Sequence, residues 1–226
     1  MSQIRAAEEI PVAPNAKATR PRWRPLHGPA PLALALLLVA GCVALAPLLF
    51  AGCTGIPRGL EPVGDFDVSR YAGRWYEIAR LDHSFERGLV DVSAEYTLLD
   101  DGKIGVRNRG YDPEEGAWNE VEGEATLQGQ ADRGSLSVTF FWPFYGGYHV
   151  IALDPEYRWS VVCGPTRGYL WFLAREPALD AQLLAKLEEK VAAWGFDTGE
   201  LIRVRHGVAP KPTADSSSPL KARESE

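Results

Sequence analysis

The side chains able to do acid–base, nucleophilic or metal chemistry are few and poorly arranged for it. Beyond residue 53 the histidines are His83, His149 and His206, and no two stand at the His-x-x-x-His spacing that puts two imidazoles on one helix face. His149 alternates with Tyr148 and Val150, so it points to the opposite face from them and is expected to be solvent-facing or satisfied. Ser137 and Ser160 lack the Gly-x-Ser-x-Gly elbow of a hydrolase nucleophile, and no glycine-rich loop opens a helix to cradle phosphate. Glu120, Glu122 and Glu124 share one strand face. Carboxylates so placed can raise one another's pKa or hold a cation, but an alternating acidic row also describes a solvated outer face, and that is the reading taken. Cys163 has no activating base nearby and reads as a small buried hydrophobe in a strand. No catalytic residue, metal ligand or cofactor is expected, and the chain is read as a non-enzyme.

Length and charge narrow the field further. The 226 residues suffice for one ordinary domain with tails, and 46% hydrophobic with 24% charged is a globular balance. Net charge is −6 overall and −9 from residue 53 onward, because the first 52 residues hold five basic and only two acidic groups. A nucleic-acid binder needs a basic footprint to neutralise phosphates, so no nucleic-acid partner is expected.

The N-terminus reads as an address. Arg20, Arg22 and Arg24 precede an uncharged run over 29–50, the layout of an export signal. At 22 residues that run could also span a bilayer as an uncleaved anchor. Val39-Ala40-Gly41-Cys42 and Phe50-Ala51-Gly52-Cys53 both resemble the bacterial lipobox, in which cleavage before the cysteine leaves a thiol that carries lipid. Cys42 has the more usual branched aliphatic three residues before the cut. Cys53, however, stands where the apolar run ends and turn-forming sequence begins, and it is the preferred lipidation site. The basic flank puts the rest of the chain outside the cytoplasm. If Cys53 is acylated, Cys163 is left alone and the fold must hold without a disulfide.

Past the cysteines, strands dominate. Eight are expected, over 73–82, 90–99, 103–111, 117–127, 134–142, 145–153, 157–163 and 167–174, separated by turn signals such as Asp100-Asp101-Gly102 and Asp154-Pro155-Glu156. Short connections require antiparallel neighbours, so the chain should meander and can close on itself, abolishing its edges. From 178 to 194 the period changes: Leu179, Leu183, Leu184, Leu187, Val191 and Trp194 form one stripe of an amphipathic helix, with Pro177 in its first turn and Gly195 at its stop. A short ninth strand over 201–205 and a disordered tail over 207–226 complete the chain. The fold class is all-β: an eight-stranded antiparallel up-and-down barrel with a C-terminal helix. A membrane barrel would be apolar outside and polar inside, and would not tolerate the Glu120–Glu122–Glu124 row.

Gly73-Arg74-Trp75-Tyr76 resembles the Gly-x-Trp signature of lipocalins. The whole run over 73–88, with Pro143-Phe144-Tyr145-Gly146-Gly147-Tyr148, Val162-Cys163-Gly164-Pro165 and Arg175, is similar to the bacterial outer-membrane lipocalins, relatives of apolipoprotein D. The resemblance covers about 53–206 and implies a signal peptide over 1–52, a linker over 53–66 and a barrel over 67–206. It also implies that Gly73, Trp75 and Arg175 are structural, the guanidinium over the indole sealing the closed end. The loop 82–89 is then either a lid at the open end or a surface loop with Phe85 as its one anchor. A lipocalin keeps an apolar cavity, and an eight-stranded barrel is just wide enough for a small ligand. Phe140, Trp142, Tyr148, Trp159 and Trp171 are the candidates for lining it; Glu77 and Tyr111 could be interior polar groups, but a solvated or strand-end position is expected for each. The implied partners are a fatty acid or lysophospholipid and, through the anchor, the outer membrane, with the chain facing the periplasm. Thr54, not Asp, follows Cys53, consistent with outer-membrane sorting. An envelope interaction module with a filled barrel, a lipocalin-fold enzyme acting on a lipid, and a homodimeric assembly all stay open at this point.

Overall fold

A computed structural model describes residues 54–210; the signal segment, both lipobox cysteines and residues 211–226 lie outside them. The strands are β1 (Gly73–Arg80), β2 (Val90–Leu98), β3 (Ile104–Asp112), β4 (Ala117–Leu127), β5 (Ser135–Phe141), β6 (Phe144–Leu153), β7 (Trp159–Cys163), β8 (Leu170–Ala174) and β9 (Ile202–Arg203). Each pairs antiparallel with its successor from β1 to β8, and β1 pairs with β8, which closes the barrel; β9 adds to β1 beyond the bulge at Glu77/Ala79. The expected meander is therefore what forms, with strand ends moved by at most three residues.

Among the described residues, two α-helices and a short 3-10 turn (Thr198–Glu200) complete the fold. α1 (Val68–Tyr71), which no apolar period announced, is capped by Asp67 and delivers Tyr71 under the closed end. α2 (Ala181–Ala193) starts later than expected because the Asp180 carboxylate accepts from the backbone N–H groups of Gln182 and Leu183, leaving Pro177 outside. Gly195, at φ +83°, ends it in the left-handed conformation open to glycine.

The barrel has two apolar sides. Inside lie Phe66, Tyr71, Trp75, Tyr96, Ile104, Val106, Leu136, Val150 and Val162. Outside, α2 sets Leu187 and Val191 against Ile78, Ile151, Val161, Cys163, Leu170 and Phe172. Cys163 is fully buried there, and burial pushes its thiol up to about 12. Glu120, Glu122 and Glu124 are exposed, with Glu124 paired to Lys103 at 2.8 Å, as a solvated face should be.

Two expected boundaries are corrected. The segment after Cys53 is no loose linker: Ile56 and Leu60 join the outer core, the Val63 N–H donates to the Val150 carbonyl at 2.8 Å, and the Val63 carbonyl accepts from Gly134 at 2.9 Å. The tail also stays attached past 207, because the Asp91 carboxylate accepts from the N–H groups of Gly207, Val208 and Ala209 at 2.5–2.9 Å.

Candidate functional site

The closed end is built around Trp75. Its indole N–H donates to the Tyr71 carbonyl at 2.8 Å, the Tyr71 ring lies tilted against it with centroids 4.7 Å apart, and the Arg175 guanidinium lies 3.9 Å above the ring. Arg175 also donates to the carbonyls of Arg70, Arg74 and Tyr157, so one side chain ties α1, β1 and the β6–β7 turn together. Gly73 is required twice: its φ is +93°, and a Cβ there would stand 3.3 Å from Arg175 Nη1. Gly73, Trp75 and Arg175 thus all stand at the closed end.

Above this plug a hydroxyl network crosses the lumen. Tyr71 Oη meets Tyr148 Oη at 2.7 Å and Ser160 Oγ at 3.1 Å, and Tyr96 Oη donates to Tyr148 Oη at 2.9 Å. Burial raises all three phenols, Tyr71 to about 12, so they stay neutral donors. Tyr148 therefore faces the lumen, standing on the aromatic cluster that fills the closed half.

Phe140 and Trp171 also point inward, packed against the luminal cluster, and both keep accessible surface. Phe140 owes its position to Gly123, where a Cβ would lie 2.7 Å from the ring. Two other expectations are corrected. Trp142 is 81% exposed at the β5–β6 tip, because the ladder shifts register between Val138 and Phe141 and carries the end of β5 beyond the wall. Trp159 shares a face with Val161 and Cys163, and that face is the outer one, under α2. The lumen takes the alternate residues of β7, Ser160 and Val162.

The lumen also contains charge, and Glu77 takes the interior position that was the less expected of its two. Glu77 is 3% exposed and points inward, two residues along β1 from Trp75, and Arg80 is 1% exposed. Arg80 Nη1 donates to Glu77 Oε1 at 2.7 Å, and Nη2 donates to the Glu86 carbonyl at 2.5 Å. Glu86 turns inward from the β1–β2 loop and accepts from Trp171 Nε1 at 3.0 Å. Burial, followed by repulsion from Glu86, pushes the Glu77 carboxyl up to about 8 despite Arg80; Glu86 is raised as well, by burial. Next to them His83 lies against Trp171 (4.6 Å) and Tyr169 (5.0 Å), and burial lowers it to about 4, keeping it neutral. Arg80 Nε and His83 Nε2 have no hydrogen-bond partner among the described residues.

These contacts decide between the two readings of the 82–89 loop. Glu86 and His83 hold it over the barrel mouth, whereas Phe85 stacks only on the outer side of His83, 62% exposed, and is not the anchor. A crevice of about 270 Å³ runs between this loop and the β7–β8 turn, past Phe85 and Tyr169. Tyr111 stands at the end of β3, buried rather than solvated, edge-on to Trp118 at 5.5 Å. His149 does face away from the lumen, but Thr54 and Gly55 cover it in place of solvent, and burial lowers its pKa.

A lumen that is packed shut at one end and lined by accessible aromatics and buried charge at the other can hold an apolar body and hydrogen-bond a polar head. It offers no nucleophile beside a base. Comparison with known proteins agrees with this shape. A family model described as a lipocalin-like domain matches residues 66–206. The chain is 47% identical over 170 residues to the outer membrane lipoprotein Blc of Escherichia coli K12, covering 75% of this chain and 96% of that one. It is 33% identical over 155 residues to mouse apolipoprotein D, covering 65% and 80%. Among solved structures, insecticyanin from the tobacco hornworm Manduca sexta superposes with a TM-score of 0.56 at 22% identity, covering 69% of this chain and 89% of that one.

Proposed function

The chain belongs to the lipocalin family, and on that premise we propose that its barrel binds a fatty acid or lysophospholipid for storage or transport in membrane maintenance, without turnover. The observation that carries this reading is Phe140 and Trp171, both turned into the lumen yet still accessible, with Trp171 donating to Glu86 of the buried polar cluster of Glu77, Arg80 and Glu86. The acyl tail lies down toward Tyr148 and the head stays near the lid. Each buried methylene contributes about 0.8 kcal/mol, less the cost of immobilisation, so a long chain reaches micromolar affinity with little polar help. The name outer membrane lipoprotein, carried by the Escherichia coli relative, and the lipobox at Cys53 support attachment of this chain to the outer membrane through an acylated Cys53, facing the periplasm.

Titration with lysophospholipid below its micelle threshold, followed by intrinsic tryptophan fluorescence, tests the reading. The expected result is saturation near one ligand per chain, weakened by Trp171→Arg, with the ligand recovered unchanged afterwards. Failure of lysophospholipid, fatty acid and a generic apolar dye alike would mean a filled barrel and favour an interaction module. Recovery of a cleaved or isomerised lipid would mean an enzyme.

A further inference from the structure

The seam between β1 and β2 is laddered over only the lower part of β1. The ladder joins 73–76 to 93–96 and stops there. Beyond it β1 turns to the C-terminal segment. Ala79 and Arg80 pair with Arg203 and Ile202, the Val204 N–H donates to the Ile78 carbonyl at 3.0 Å, and His206 Nε2 donates to the Glu77 carbonyl at 2.8 Å. The start of β2 turns to the same segment. The Asp91 N–H donates to the Arg205 carbonyl at 2.8 Å, and the Asp91 carboxylate accepts from Gly207, Val208 and Ala209. Residues 202–209 thus bridge the upper seam, and His206 straddles it, with Nδ1 3.8 Å from Asp91.

This bridge is held weakly except at one point. None of residues 202–209 is buried, so little apolar surface holds the segment down, in contrast to Val90 and Val92 of the strand it meets. An ion pair from Arg203 to Glu188 fixes its start to α2, and its far half depends on Asp91 and His206. Hydrogen bonds to a carboxylate are the strong ones, and those of three successive N–H groups converge on Asp91. Asp91 adopts φ +52°, a left-handed conformation that Asp tolerates better than most side chains. It also lies two residues past the lid loop 82–89, so the latch of the segment and the outgoing hinge of the lid are one residue. From inside, the lid is held separately, by Glu86 through Arg80 and Trp171.

We propose that residues 202–209 are a strap that locks the lid from outside, with Asp91 as the latch. When the Asp91 bonds let go, 204–209 lifts off the seam, the lid loses its outgoing hinge, and the lumen opens sideways between β1 and β2. The strap therefore sets how fast a ligand enters and leaves, and not how tightly it is held. The gating rests on the lumen-binding reading above; the opening of the strap does not.

The test uses the processed, acylated full chain in vesicles of phosphatidylethanolamine and phosphatidylglycerol. Asp91→Gly suits the backbone conformation and removes the acceptor, whereas Asp91→Asn suits it and keeps a weaker one. Amide hydrogen exchange, read by mass spectrometry without ligand, should rise severalfold over 202–209 and 82–89 together in Asp91→Gly, while β4 and β5 stay protected. A brominated-chain lysophospholipid loaded into the lumen should then leave severalfold faster for an excess of empty vesicles, read as recovering tryptophan fluorescence, at unchanged affinity. Asp91→Asn should fall between Asp91→Gly and the native chain in both readouts. Exchange that rises over 202–209 alone, or through the whole barrel, would overturn the lock. Unchanged release from a chain whose lid exchanges faster would overturn the gate. If the native chain takes up no lysophospholipid, the lumen-binding reading fails, and exchange still decides the lock.

Discussion

The two ends of this barrel use the same residue types to opposite effect. At the closed end, the Trp75 indole N–H, the Arg175 guanidinium and the Tyr71 hydroxyl all have partners, and the glycine beside them holds a φ of +93° that side chains rarely adopt, with Arg175 close against it. Toward the open end, an arginine and two carboxylates are buried beside a half-buried tryptophan, but Arg80 Nε and His83 Nε2 lack partners among the described residues, and burial raises both carboxyls above their ordinary range. Packing that is complete serves stability. Packing left incomplete, at the cost of buried charge, leaves room and hydrogen-bonding capacity for something else.

Substitution should separate the ends. Trp75→Ala removes the ring on which Tyr71 and Arg175 rest and is expected to cost about 3–5 kcal/mol in denaturant unfolding. Trp171→Ala should cost distinctly less, because the ring is already accessible on one side, yet it should remove most of the ligand response. Equal stability losses would erase the contrast.

The next effect is one of pH. Glu77 is protonated more readily in the fold than in the unfolded chain, so its contribution is fully present below about 4.5 and is lost as pH rises through about 8. His83 runs the other way: its contribution is present above about 6.5 and lost as pH falls through about 4. Between pH 6.5 and 8 only the carboxyls act, and stability should fall by up to about 1.4 kcal/mol per pH unit for one proton. Glu77→Gln should flatten that decline, measured by urea unfolding at several pH values. An unchanged slope would mean that the luminal carboxyl is not buried as described. The smallest effect belongs to the rim: Trp142→Ala, at an exposed tip, should change stability by less than about 0.5 kcal/mol, in contrast to Trp75.

Much of this was legible in the sequence. Turn chemistry and alternation give eight strands in the right order, and the Gly73, Trp75 and Arg175 signature falls where closure brings β1 and β8 together. What alternation cannot say is which side of a strand is the inside when both sides are apolar. β7 and β8 lie under α2, so Trp159, Val161 and Cys163 form an apolar face that looks like a lumen and is the outer wall. The helix stripe itself was the clue, since Leu187 and Val191 need an apolar partner outside the barrel. Glu77 was readable as well, sharing a strand face with Trp75. Arg80 was not, because the bulge at Glu77/Ala79 breaks the period. Glu86 and His83 arrive from a loop, where no period exists, and the register shift that expels Trp142 leaves no local mark.

The central claim is that an acyl chain occupies the open half of the lumen beside Trp171. A lysophospholipid with a brominated acyl chain tests it most directly, because bromine quenches a tryptophan only near contact. The expected result is saturable quenching that disappears in Trp171→Phe and persists in Trp142→Phe. Quenching unaffected by Trp171→Phe, or lost in Trp142→Phe, would place the lipid on the rim and contradict the claim.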